Sequence, residues 1–187
     1  MNRSRLIPFA LATLLLAGCN GHGEHFTLIT ANTTSIDNDA IRVAHDRVTL
    51  NPDNGTSATI ASNGDFAVDG KPVTVTPEEH ALLMQYFGAA TAIREHGIET
   101  GIAGAGIAGA ALKSAATSLF GDDDKSADAK VQIQSDKVKQ AAMKICDDMA
   151  AIRSAQDQLA SQLPAFGPYA HLITAGSVES CRKDDND

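Results

Sequence analysis

Val131, Val138, Ile145, Ile152 and Leu159 recur every seventh position. On an α-helix that spacing keeps all five on one side, with Ala142, Met149 and Leu163 on the same flank. A helix with such a seam needs another helix laid along it. The pattern occupies residues 128–163, and Pro164 ends it. Two partners fit the seam. One is an earlier helix of the same chain; the other is a second copy, giving a homodimer. The intramolecular hairpin is expected, because the domain needs that contact to make its core. Large rings contribute little to this core: aromatic residues are 4% of the chain and tryptophan is absent.

A partner helix begins at Thr76-Pro77-Glu78-Glu79. The Thr76 hydroxyl can accept from the Glu79 amide, the Glu79 carboxylate can reach back, and proline suits the first helical position. Leu82, Leu83, Tyr86, Phe87, Ala90 and Ile93 follow at helical spacing, and a break or bend is expected near His96-Gly97. The next stretch, GIETGIAGAGIAGAALKSAATSLFG, places Gly97, Gly101, Ala105 and Gly109 four apart. That makes a face without side-chain bulk. Only 13 uncharged residues separate Glu99 from Lys113, well short of the ~20 that span a bilayer. Close packing on a neighbouring helix is expected, with membrane insertion of a glycine zipper as the other reading.

Residues 40–76 change period. Runs rich in Val, Ile and Thr are separated by Asn54-Gly55, Asn63-Gly64 and Asp69-Gly70, dipeptides suited to tight hairpins. Three or four short antiparallel strands are expected there, with Phe66, Val68, Val73 and Val75 alternating. The expected fold is α+β: a small N-terminal antiparallel β-meander, then a helical hairpin or bundle of about three helices over residues 77–173. Phe166, Tyr169 and Leu172 fold back as a cap, and residues 174–187 form a C-terminal tail.

The first residues read as an address. Arg3 and Arg5 precede an apolar stretch, Leu6 to Leu16, too short to span a membrane. Leu16-Ala17-Gly18-Cys19 resembles a bacterial lipobox at all four positions. The resemblance implies removal of residues 1–18 and acylation of Cys19, with the lipid as membrane anchor. Asn20 in place of aspartate implies sorting to the outer membrane, facing the periplasm. Residues 19–39 are then a tether. Lipidation uses one of three cysteines and leaves Cys146 and Cys181. In an oxidising compartment these are expected to pair, closing a loop of about 35 residues worth about 3–4 kcal/mol. The other reading is two free buried thiols.

The stretch IASNGDFAVDGKPVTVTPEEHALLMQYF carries Ile60, Asn63-Gly64, Gly70-Lys71, Val73 and Val75-Thr76. It resembles the YggN-like family of periplasmic proteins. KICDDMAAIRSAQDQLASQLPAF is similar to that family's cysteine-containing final helix. The resemblance implies location and architecture, and carries over no catalytic residue.

Reactive constellations are missing. There is no G-x-S-x-G, H-E-x-x-H, phosphate loop or C-x-x-C. His45-Asp46, Glu79-His80 and Glu95-His96 are chain neighbours, which point apart on strands and helices. His22, Glu24 and His25 make a weak metal set on the tether. Asp122, Asp123, Asp124 and Asp128 lack calcium-loop spacing. No metal or cofactor is expected. A net charge of -8 argues against nucleic acid and against electrostatic adsorption to an anionic membrane. The expected activity is therefore non-catalytic: binding a protein or another envelope component. The candidate surfaces are Gly101, Ala105 and Gly109 on one helix and Val138, Ile145 and Ile152 on the other. The alternatives are an immunity-type inhibitor of a secreted toxin acting in the periplasm, and an uncharacterised envelope enzyme.

Overall fold

The computed structural model describes the backbone of residues 28–29, 33–118 and 125–184, and the side chains of residues 33–114 and 129–183. The signal segment, Cys19, the His22–His25 cluster and Asp122–Asp124 lie outside the described residues, as does the Asp128 side chain.

The fold is α+β. Seven short strands form an antiparallel meander in which each pairs with the next: β1 (Leu28–Ile29), β2 (Thr34–Ile36), β3 (Ile41–Val43), β4 (Arg47–Leu50), β5 (Ala58–Ala61), β6 (Phe66–Val68) and β7 (Lys71–Val73). Register puts one row of residues across the buried face: Thr34, Val43, Val48, Ile60, Phe66 and Val73. Ile36, Ile41, Leu50, Ala58 and Val68 form a second row beside it. The period of two therefore buries both rows against the helices. Positive φ at Gly64 and at Asp69-Gly70 makes the two hairpin turns flanking β6.

The sheet starts earlier than the composition indicates. The expected tether, residues 19–39, contains β1 and β2, and Thr34 and Ile36 are fully buried. The local sequence is polar, and only these two alternate positions of β2 face the core.

α1 (Pro77–Ser118) and α2 (Lys125–Gln162) form the helical hairpin. The capping box forms as its residues dictate: the Glu79 amide donates to Thr76 Oγ1 at 3.2 Å, and the Thr76 amide donates to Glu79 Oε2 at 2.7 Å. α1 does not break at His96-Gly97. Gly97 is buried, and contact with α2 carries the helix on through the glycines. The heptad seam faces inward: Met149, Ile152, Leu159 and Leu163 are buried, and Val131, Val138 and Ile145 are half-buried.

Pro164–Tyr169 is a 3-10 turn that brings Phe166 and Tyr169 back onto the sheet. Phe66, Phe166, Tyr169 and Tyr86 make one aromatic cluster, with ring centroids 5.7–6.2 Å apart. The expected tail is instead mostly α3 (Ala175–Asp184), which packs on α2. Buried Gln156 locks the approach to it. Its Nε2 donates to the Ala170 and Ile173 carbonyls, and the Ile173 amide donates to its Oε1 at 3.0 Å.

Candidate interaction surfaces

Cys146 and Cys181 are bonded, with Cα atoms 5.6 Å apart, so α3 is tied to the middle of α2. Arg182 also reaches Asp147 at 3.2 Å on the surface.

A polar cleft of about 760 Å³ opens where the β2–β3 turn, the β4–β5 loop and the start of α3 meet. Asp37, Asn38 and Asp39 all have positive φ, a conformation that Asp and Asn tolerate better than most residues. Ser177 and Asn51 hold the turn with three hydrogen bonds. Ser177 Oγ donates to Asp37 Oδ2 at 3.1 Å, Asn51 Nδ2 donates to the Asp39 carbonyl at 3.1 Å, and the Asn51 amide donates to the Ala40 carbonyl at 2.8 Å. Hydrogen bonds from Ser35 and Arg42 hold the Asp39 carboxyl below its ordinary range. Asp53 and His171 also line the cleft. The cleft offers hydrogen bonds and negative charge. Among the described residues, no three His, Cys, Asp or Glu side chains gather as a metal site.

The scattered histidines are separated. Asp46 pairs with Arg47, not His45. His80 Nε2 donates to the Asn63 carbonyl at 2.8 Å and so pins α1 to the β5–β6 turn. His96 bonds an acid that chain proximity does not offer. Its Nδ1 donates to Asp148 Oδ2 at 2.7 Å across the hairpin, with both side chains 21% exposed. Burial raises the Asp148 carboxyl above its ordinary value, and the His96 contact opposes that rise. The residues are 52 positions apart, so only the registry of α1 against α2 brings them together.

The small-residue face is not packed on a neighbour. Gly101, Ala105 and Gly109 are exposed, and a Cβ at Gly101 or Gly109 would meet nothing within 4 Å. The expectation of tight packing there is overturned, because the sheet and α2 occupy other sides of the helix. Ile152 is fully buried and leaves the list of contact surfaces, whereas Val138 and Ile145 keep part of their surface. Beside them runs a groove of about 460 Å³ with Ala103, Gly106 and Ala141 as its floor and Glu99, Lys137 and Lys144 on its rim.

Comparison with family models, curated proteins and solved structures finds no match to this chain.

Proposed function

We propose that this chain is a non-catalytic, lipid-anchored protein of the bacterial envelope, held by acylated Cys19 at the periplasmic face of the outer membrane, and that it acts by binding a protein or another envelope component. The bonded pair Cys146–Cys181 carries the reading. It leaves Cys19, within Leu16-Ala17-Gly18-Cys19, as the one cysteine outside that pair. The resemblance of residues 60–87 to the YggN-like periplasmic family supports the same compartment. Among the described residues, no helix is long and apolar enough to cross a membrane, which agrees with attachment through lipid. The polar cleft walled by Asp37, Asn38, Asp39 and Arg42 offers a partner hydrogen bonds, which supports binding.

Expression with a radiolabelled fatty acid tests the anchor. The parent should carry label and pellet with outer membranes. Cys19→Ala should carry none and accumulate unprocessed or soluble. Label persisting in the variant would overturn the reading.

A further inference from the structure

α1 is longer than the sheet is wide. It begins next to β7, is pinned by His80 to the β5–β6 turn, and packs on β5, β4, β3 and β1. Seven strands measure ~29 Å across. The twenty residues from Pro77 to His96 rise ~30 Å. The helix has therefore reached the β1 edge by Gly97, and the rest of it overhangs. Between Ile98 and Ser114 the only buried side chain is Ala103, which lies on the α2 side. The stripe that carries Leu83, Tyr86 and Ala90 onto the sheet continues past that edge through Gly101, Gly104 and Ala108, which no described residue covers; the larger apolar side chains stand on its flank. Ile98 and, with 69% and 73% exposure, Ile102 and Leu112 stand out beside Gly101 and Ala105. No charged residue occurs from Thr100 to Leu112. One turn before Ile98, Arg94 has a buried Nε with no hydrogen-bond partner.

The same edge is where the chain leads back to Cys19. Leu28 opens β1, and nine residues can span at most ~30 Å. A lipid on Cys19 thus keeps the β1 edge, and the helix projecting past it, within ~30 Å of the bilayer. Held that close, an apolar face too small to bind lipid from free solution competes at a high effective concentration.

We propose that the overhanging face of α1, formed by Ile98, Ile102, Ala105 and Leu112 with Arg94 at its base, lies on the phospholipid bilayer that receives the Cys19 acyl chains. The apolar side chains enter the boundary between headgroups and acyl chains, and the Arg94 guanidinium meets a lipid phosphate. The run is too short to span, so the helix lies along the surface. This inference rests on lipidation of Cys19.

The test uses the full lipidated chain with Ile102→Cys, labelled with an environment-sensitive fluorophore. The control is Thr74→Cys, just past β7 at the far edge of the sheet. Both positions are exposed, so neither substitution removes packing. The proteins are reconstituted in phosphatidylethanolamine–phosphatidylglycerol vesicles with brominated acyl chains. The label at position 102 should shift to the blue and be quenched several-fold more than the label at position 74. Vesicle-bound protein with equal quenching at both positions would overturn the docking and leave the anchor standing. Efficient crosslinking between two copies through position 102, without quenching, would assign the face to a second copy and overturn the docking. Protein that carries no acyl chain and stays off the vesicles would overturn both readings.

Discussion

Tyr86 and Tyr169 are alike in burial and in their ring contacts with Phe166, yet their hydroxyls have opposite circumstances. Tyr169 donates to the Thr56 carbonyl at 2.6 Å, whereas the Tyr86 oxygen is buried without a partner. Burial holds the Tyr86 phenol above its ordinary range, so it stays neutral at any working pH. A buried hydroxyl that has lost its water and gained no partner is destabilising; one with a good acceptor contributes modestly. Tyr169→Phe should therefore lower unfolding stability by about 1 kcal/mol, and Tyr86→Phe should raise it by about 1 kcal/mol. Urea midpoints measured side by side check the pair, and shifts of the same sign would contradict the contrast. Helical spacing alone marks Tyr86 as a core residue. The unpaired hydroxyl has no sequence signature, because the acceptor that satisfies Tyr169 lies 113 positions away.

Between elements, the His96–Asp148 bond joins α1 to α2 where the hairpin leaves the sheet. The Asp148 carboxyl is raised, chiefly by burial, so the folded state holds its proton to higher pH than the unfolded chain does. That contribution to stability is full below the ordinary carboxylate pKa and is lost as pH rises through the raised value. Asp148→Asn cannot ionise and removes this slope. The stability difference, parent minus variant, should thus be largest near pH 3.5 and shrink as pH climbs past the ordinary carboxylate range. Denaturant titrations of both proteins over pH 3.5–6 check it, and a difference that grows with pH would reverse the assignment. The elements themselves were unevenly legible. The seven-residue repeat, the capping box at Thr76 and the Asn63-Gly64 and Asp69-Gly70 turns are local patterns, and each fixed its element, whereas Asn54-Gly55 makes no tight hairpin and sits in the seven-residue loop between β4 and β5. Gly97 read as a break because intrinsic propensity is local, whereas the tertiary contact that buries it supplies the stability that the glycine removes. β2 was missed because a strand of three residues presents too few positions for a period to show.

Across the whole molecule, the residues that hold the fold and those that face outward lie on different stretches of the same two helices. Among the described residues, the main core draws on 36–93 and 145–181 and takes nothing from the hairpin between them. Ala103 and Ala141 pack helix on helix there, but alanines bury little area. The small-residue pattern was visible in the sequence. That it lies exposed was not, because exposure depends on the width of the sheet that α1 outruns. Removing residues 100–143, and joining Glu99 to Lys144 through a short Gly-Ser turn, should therefore leave a domain that still unfolds cooperatively. The aromatic cluster, the buried sheet face and the Cys146–Cys181 bond are all outside the deletion. Stability should stay within about 2 kcal/mol of the parent, since shortening a connection changes closure entropy only logarithmically. Thermal melts followed by circular dichroism at two wavelengths check this. Loss of a single transition would show that the overhang is structural. A cooperative melt would mean that some 40 residues of helix are dispensable to the fold, and that their length answers to a contact outside the chain.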